Sequence, residues 1–194
     1  MSLEQLALDM QHCTRCGLAE GRNKLVFGMG NPGARLMLIG EGPGKDEDEQ
    51  GLPFVGRAGQ LLDRVLAAIN LTRQEVYIAN IVKCRPPNNR VPSRAEAVAC
   101  LPYLYRQIEL IKPGIIVLLG NTALQNLIGP EARITRMRGQ WLESRSGIKI
   151  MPTYHPAAVL RDPNKRRPVW EDFQKIQEEY LRVTGKAARD QYSF

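Results

Sequence analysis

Residues 114–120 read GIIVLLG, a run of five apolar side chains between two glycines. Strands buried on both faces have this composition, and they occupy the centre of parallel sheets covered by helices. Three further runs have the length of core strands: 35–40 (RLMLIG), 75–82 (EVYIANIV) and 148–152 (IKIMP). Between the first two of these, 58–69 has apolar residues at helical spacing. Strands alternating with helices predict an α/β fold with three layers, α/β/α, around a mainly parallel four-stranded sheet.

The composition of the 194-residue chain is that of a globular protein, with 43% hydrophobic and 24% charged residues. We predict a single domain, 1–194, with a frayed tail at about 185–194, because no repeat or linker divides the sequence. No segment approaches the about 20 apolar residues of a membrane helix, and 1–13 (MSLEQLALDMQHC) is no signal peptide, so we expect a cytoplasmic monomer without membrane contact. The net charge of +7 favours a polyanionic partner, with nucleic acid the first candidate.

Four cysteines are candidate metal ligands: Cys13, Cys16, Cys84 and Cys100. Disulfides are not expected among them in a reducing compartment. The CxxC pair places two thiolates at one corner of a site, and folding must bring the other two from distant segments. Four thiolates suit either zinc or an iron–sulfur cluster. A single CxxC pair favours the cluster, with four unrelated thiols as the alternative.

Polar residues gather where the predicted strands end. The glycine-rich stretch 40–49 (GEGPGKDEDE) follows the first strand, Asn80 lies near the end of the second, and His155 follows the fourth. Ligands of open α/β sheets bind at the carboxyl ends of the strands. Because three separate segments deliver polar groups to one edge, we predict a binding site there.

These features in combination resemble the uracil-DNA glycosylase superfamily. The motifs that carry the resemblance are 40–44 (GEGPG), 51–56 (GLPFVG), Asn80 and His155-Pro156. The four cysteines are spaced as in the family-four members, which carry a [4Fe–4S] cluster. The resemblance covers nearly the whole chain. It implies a monofunctional DNA repair glycosylase that flips uracil out of single- or double-stranded DNA, hydrolyses its N-glycosidic bond and leaves an abasic site.

The resemblance also implies roles for residues at the sheet edge. Phe54 is expected to stack on the flipped base. The Asn80 amide is expected to bind the O4 and N3–H edge of uracil, a pattern that cytosine reverses. His155 is expected to stabilise the negative charge that grows on O2 of the departing uracil. Backbone N–H groups of Glu41 and Gly42 are expected to approach the base, since glycine has no side chain in the way.

The acidic residues suit a sugar that develops positive charge as the bond breaks. Glu41 and Glu47 are the candidates for a carboxylate that faces the sugar or orients the attacking water. The best-known branch of the superfamily has an aspartate where this chain has Gly42, so the group that positions the water is left open. The other acids are expected to be solvated or to cap helices: Asp46, Asp48 and Glu49.

The segment after His155 resembles the loop that enters the minor groove. In 156–160 (PAAVL), Val159 or Leu160 is expected to fill the space that the base vacates, with core packing as the alternative. The basic residues that follow suit phosphate contacts: Arg161, Lys165, Arg166 and Arg167.

Two other functions stay open at this point. One is a relative that traps the deoxyribose on a histidine, but the corresponding loop 85–93 (RPPNNRVPS) has no histidine. The other is a non-enzymatic nucleic-acid-binding module built around a four-cysteine metal site. That module leaves the coincidence of Phe54, Asn80 and His155 unexplained.

Overall fold

The computed structural model of the protein describes residues 1–186, so the predicted frayed tail lies outside the described residues from 187 onward. No helix in this part of the chain combines the length and apolar composition that crossing a membrane requires. The strands of residues 1–186 are β1 (Met29–Gly30), β2 (Leu36–Gly40), β3 (Tyr77–Asn80), β4 (Ile115–Leu119), β5 (Leu142–Glu143) and β6 (Lys149–Thr153). The α-helices of the same residues are α1 (Leu3–Met10), α2 (Leu18–Gly21), α3 (Lys45–Gln50), α4 (Arg57–Ala68), α5 (Arg94–Ile111), α6 (Asn121–Leu127), α7 (Ile134–Met137), α8 (Pro156–Arg161) and α9 (Arg166–Thr184).

The strands of the described residues form one sheet in the order β1-β3-β2-β4-β6-β5. Its four central strands, β3, β2, β4 and β6, are parallel, which confirms the predicted α/β class. The predicted number of four strands is too low. Met29–Gly30 pairs antiparallel to β3, and Leu142–Glu143 pairs antiparallel to β6. Strands of two residues are too short for an alternating pattern to reveal them.

Helices cover both faces of the sheet, as the three-layer prediction requires. Leu36 and Leu38 of β2 belong to a buried cluster that includes side chains of α4 and α9. Met37 and Ile39 belong to a second cluster, with side chains of α5 and α6. Successive side chains of a strand point to opposite faces, so one strand supplies two cores. Burying a side chain of this size stabilises the fold by about 1.5–3 kcal/mol.

Helix α5 begins with a capping box that also anchors the preceding loop. Ser93 Oγ accepts from Glu96 N at 3.2 Å, and Glu96 Oε2 accepts from Ser93 N at 2.8 Å. Arg90 donates to both carboxylate oxygens of Glu96, at 2.7 and 2.8 Å. These hydrogen bonds from Arg90 lower the pKa of Glu96 to about 2. The cap therefore holds the proline-rich loop against the start of the helix that carries Cys100.

The parallel strands bring distant chain positions to one edge. Strand β2 ends at Gly40, directly before Glu41, and β3 ends at Asn80, which pairs with Gly40 in the sheet register. Strand β6 ends at Thr153, two residues before His155. The three polar groups predicted to converge therefore do so because of the sheet topology.

Candidate active site

A cleft of about 430 Å³ opens at this edge of the sheet. It lies between the strand ends, the turn that holds Phe54 and the starts of α3, α4 and α8. The structure brings together in its lining all six residues predicted to bind uracil: Glu41, Gly42, Glu47, Phe54, Asn80 and His155.

Phe54 is held in a constrained position inside the cleft. Its φ of +53° is in the left-handed region, which an aromatic residue rarely adopts. Gly59 permits this turn, because a Cβ there would lie 1.7 Å from Phe54 O. The guanidinium of Arg73 donates to Pro53 O at 2.9 Å and also to Phe54 O. The Phe54 ring stacks on the His155 ring, with centroids 5.5 Å apart and planes 29° apart.

Asn80 presents an unsatisfied acceptor at the base of the cleft. The residue is 2% exposed, and its Oδ1 is buried without a hydrogen-bond partner among the described residues. The Gly40 backbone passes close beside it, and only glycine fits there, since a Cβ would lie 2.5 Å from Asn80 Oδ1 and 2.6 Å from Phe54 Cζ. Buried polar atoms nearly always have a partner, so this oxygen is suited to a donor that a ligand supplies.

The fold determines which tautomer of His155 is present. His155 is the N-cap of α8, and its Nδ1 accepts from Ala157 N at 3.0 Å. A neutral imidazole that accepts at Nδ1 carries its proton on Nε2. Burial, with Arg161 nearby, lowers the pKa of His155 to about 4, against an opposing effect of Glu47. At neutral pH His155 is therefore an uncharged Nε2–H donor.

The Glu47 carboxylate is occupied by backbone amides. It accepts from Gly44 N at 3.1 Å and from Val55 N and Gly56 N at 2.9 Å each. These hydrogen bonds join the start of α3 to the turn that carries Phe54. The catalytic role of Glu47 stays a prediction, and these contacts favour a role in positioning Phe54.

Glu41 and Gly42 line the cleft directly after β2. Glu41 Oε2 accepts a hydrogen bond from the Thr122 hydroxyl of α6, and its carbonyl accepts from Val82 N at 3.2 Å. A Cβ on Gly42 would lie 2.7 Å from Val82 Cγ2, so the turn runs close to the chain after β3. Among residues 1–186 the Glu41 carboxylate has one hydrogen-bond partner, the Thr122 hydroxyl, so it retains more capacity to accept hydrogen bonds in the cleft than Glu47 does.

The remaining acids differ from the prediction in one respect. The stretch 45–50 is helix α3 rather than a loop, and Asp46 and Glu49 are exposed on it, as expected. Asp48, however, is fully buried. Its carboxylate accepts from Asn23 N at 2.8 Å and from Asn23 Nδ2 at 2.6 Å. Asp48 is therefore neither solvated nor a cap of its own helix, but ties α3 to the segment after α2.

The residues predicted to contact DNA lie in different environments. Val159 is 3% exposed and packs in the core, whereas Leu160 on the same helix is 37% exposed. Arg161 lines the cleft. The other basic residues lie farther along the chain, where Lys165 pairs with Asp162 at 2.6 Å, Arg167 pairs with Glu171 at 3.0 Å, and Arg166 lines an apolar cavity beside α9. Arg161 is thus the member of this group that lies at the cleft, and Leu160 is exposed beside it on the same helix.

The four cysteines are distant in the sequence, but the fold brings them together in the lining of one cavity. Burial raises the pKa of the Cys84 and Cys100 thiols. Arg22 also lines this cavity, and its Nη1 donates to Cys84 Sγ at 3.3 Å and to Cys13 O at 2.8 Å.

The donor set of the cysteine cavity fits a group that is held by four thiolates. Within residues 1–186, no group of three His, Cys, Asp or Glu side chains is arranged to hold one metal ion. The cavity brings together four thiols, the ligands that either zinc or an iron–sulfur cluster takes.

Several cleft residues were missed by the sequence reasoning. Arg57, Asn89 and Arg90 line the cleft, and Arg73 supports Phe54 from behind. Arg57 directly follows the GLPFVG turn, and this position in the sequence could have indicated that it lies at the cleft. The approach of Asn89 and Arg90 depends on how the proline-rich loop folds back, and no local pattern indicates that.

The α/β fold, the cleft at the strand ends and the cysteine cavity together define the class of protein to which the chain belongs. The chain belongs to the uracil-DNA glycosylase superfamily, whose family model matches residues 27–175. It is similar to type-4 uracil-DNA glycosylases, which confirms the resemblance to family four. The Sulfurisphaera tokodaii protein is 45% identical over 193 residues, covering 95% of this chain and 87% of the relative. The Thermotoga maritima protein is 45% identical over 176 residues, covering 89% and 92%. A type-5 uracil-DNA glycosylase of Pyrobaculum aerophilum is 27% identical over 148 residues, covering 67% and 64%.

Proposed function

We propose that this chain is a uracil-DNA glycosylase that hydrolyses the N-glycosidic bond of uracil in DNA and leaves an abasic site. The observation that carries the proposal is the buried, unpartnered Oδ1 of Asn80 beside Phe54 in the cleft. An unpaired buried acceptor costs about 1–3 kcal/mol. The N3–H of uracil supplies the missing donor, and the type-4 relatives support the same activity.

Recognition requires the base to leave the duplex stack, at a cost of a few kcal/mol. Phe54 receives the flipped base on its ring, and Asn80 reads the base edge. The Asn80 C=O accepts from N3–H, and its NH2 donates to O4. Cytosine has an acceptor at N3 and a donor at N4, so both contacts become repulsive.

Departure of uracil places negative charge on its O2. His155 donates from Nε2, because its Nδ1 is already occupied by the Ala157 N–H. A neutral donor fixed before the reaction needs no reorganisation as this charge develops, which is how an oxyanion hole acts. The proton stays on His155, and uracil leaves as an anion.

The sugar carries the complementary positive charge and is attacked by water. We assign the carboxylate that faces the sugar to Glu41, whose partner is the Thr122 hydroxyl. Glu47 acts through Phe54, since its oxygens hold the amides of Val55 and Gly56. Backbone N–H groups of the Glu41-Gly42 turn complete the wall beside the base.

The DNA backbone crosses the mouth of the cleft in this proposal. Leu160 enters the space that the base vacates, and Arg161 contacts a neighbouring phosphate. Lys165, Arg166 and Arg167 extend the basic surface along the backbone. Every proposed contact comes from one chain, so we propose that the protein acts as a monomer on single- or double-stranded DNA.

We propose a [4Fe–4S] cluster as the cofactor, held by the four cysteines. When bound, such a cluster supplies four iron–thiolate bonds that join the N-terminal CxxC segment, the chain after β3 and helix α5. Metal binding of this kind contributes directly to folding. Free thiolate ligands also suit a reducing compartment, so we place the protein in the cytoplasm.

A duplex oligonucleotide with a single uracil tests the proposed function against its alternatives. Uracil release with an alkali-sensitive strand is the expected result, and a matched thymine duplex is the control. An adduct that resists denaturant indicates a cross-linking relative. Binding of both duplexes without release or adduct indicates a nucleic-acid-binding module.

A further inference from the structure

The side chain of Lys83 is fully buried and lines the cysteine cavity, and the chemistry above does not use it. Its Nζ donates to Gln107 Oε1 at 2.6 Å and to the main-chain oxygen of Asn80 at 3.0 Å. Both acceptors are neutral, and the nearby Cys100 thiol is the acidic group that acts on the amine electrostatically. Burying an amine away from a carboxylate is costly, and these two hydrogen bonds offset part of that cost.

The contact with Asn80 lies where β1 no longer pairs with β3, although β2 continues alongside. The register of β1 against β3 pairs Met29 with Ile78 and does not extend to Asn80. Lys83 reaches back to this strand end from three residues farther along the chain. The Lys83 side chain therefore holds the Asn80 carbonyl at the strand end that β1 leaves uncovered.

Gln107 connects this hydrogen bond to a rigid frame. Its side chain is fully buried on α5, and its Nε2 donates to Phe27 O at 2.9 Å and to Tyr77 Oη at 3.3 Å. Tyr77 is the first residue of β3, and Lys83 holds the last, Asn80. One buried network thus contacts the side chain of the first residue of β3 and the main chain of its last residue, Asn80.

We propose that Lys83 is a positioning residue for uracil recognition, and that its hydrogen bond to the Asn80 main chain holds the Asn80 amide in register with the base. The inference rests on the proposed function and deepens it at the same site. The space around Asn80 Oδ1 is narrow, since even a Cβ on Gly40 would lie 2.5 Å away. A small shift of the Asn80 backbone therefore misaligns both hydrogen bonds to uracil.

The experiment compares K83M with Q107L. Methionine has nearly the length of lysine, but it leaves Asn80 O and Gln107 Oε1 without their donor. Q107L removes the contacts of Gln107 with Lys83, Phe27 O and Tyr77 Oη but keeps the lysine that donates to Asn80 O, so it destabilises the fold without removing the proposed positioning contact. K175M is the matched control, because Lys175 Nζ also donates to a main-chain oxygen, that of Gly139 at 2.8 Å, outside both sites.

Single-turnover uracil release, DNA affinity, thermal stability and iron per chain are measured for each protein. We expect K83M to release uracil about tenfold more slowly at unchanged DNA affinity, and K175M to match the parent. We expect Q107L to lose at least as much thermal stability as K83M while its rate stays closer to that of the parent, which a purely structural role of Lys83 does not produce.

Three results overturn the inference while the parent is active: a parental rate in K83M, a loss of rate in Q107L as large as that in K83M, or a loss of iron that matches the loss of rate. The last result would mean that the effect passes through the metal site rather than through Asn80. A parent that releases no uracil overturns the proposed function itself, and the inference with it.

Discussion

Acidification tests the assigned role of His155 most directly. The pKa of this imidazole is about 4 rather than its ordinary 6.5, because burial and Arg161 disfavour the charged form. Protonation also places a hydrogen on Nδ1, where the Ala157 N–H already points. The active form is the neutral one, so the rate is retained above the folded pKa and lost as the pH falls through it.

The magnitude follows from the two pKa values. At pH 5.5 an imidazole with a pKa of about 4 is roughly 97% neutral, whereas one with a pKa of 6.5 is roughly 9% neutral. The single-turnover rate at pH 5.5 should therefore be near its value at pH 7, rather than about tenfold lower. The same depressed pKa favours the neutral folded state, so its contribution to stability is present above pH 6.5 and declines toward pH 4.

The assay is uracil release with excess enzyme from pH 4 to pH 8, with circular dichroism at each pH to verify that the protein is folded. H155A provides the reference and should lose about 10²–10³-fold in rate, with no acidic limb. R161Q should raise the pKa and move the limb toward neutral pH, since Arg161 lowers it. The neutral-donor role is refuted if the rate of the parent falls with a midpoint near pH 6.5, or if the same acidic fall in rate persists in H155A.

Four further predictions concern other parts of the molecule. E41Q should slow uracil release with little loss of stability. E47Q should also destabilise the fold by about 1–3 kcal/mol, because an amide cannot accept from three N–H groups in the same way. Chemical denaturation and single-turnover rates separate the two effects, and full rates in both variants would remove the carboxylates from the mechanism. Anaerobically purified protein should contain iron and acid-labile sulfide in equal amounts, and C100S should lower its thermal stability; zinc without sulfide contradicts the cluster. L160A should slow release from duplexes more than from single strands, because only a duplex leaves a void to fill, and equal losses on both count against the wedge. N80D should reduce uracil release sharply by replacing the amide donor with a second acceptor; matched uracil and cytosine oligonucleotides measure it, and a parental uracil rate would mean that Asn80 does not read the base.

The central strands and the convergence of their ends could be predicted because burial on both faces imposes a continuous apolar pattern. Residues 115–119 contain no polar side chain, and all five are buried in β4. The edge strand at Met29–Gly30 carries no such pattern, since two residues do not define an alternation. Arg73 could not be predicted either, because its support of the Phe54 turn depends on where the carbonyls of Pro53 and Phe54 lie in space.

The acidic segment shows which part of a site a sequence conceals. The sequence alone does not distinguish the five acidic residues at 41–49, but the fold gives them different hydrogen-bond partners. Asp48 and Glu47 bind backbone amides of the 23–24 segment and of the Phe54 turn, and neither amide group is recognisable from composition. Backbone hydrogen bonds depend on tertiary geometry, whereas the spacing of apolar residues depends on secondary structure alone.

The different hydrogen-bond partners of these acids also explain how a basic protein tolerates acidic residues where DNA is proposed to bind. A carboxylate that accepts from several N–H groups has much of its charge balanced by those dipoles, and its repulsion of a nearby phosphate is correspondingly weaker. Glu47 has three such donors, and Asp48 is buried away from the cleft surface. Glu41 instead has one hydroxyl partner and faces the cleft, where a developing positive charge on the sugar is the favourable counterpart. The acid best suited to chemistry is therefore the one that the backbone has left least occupied.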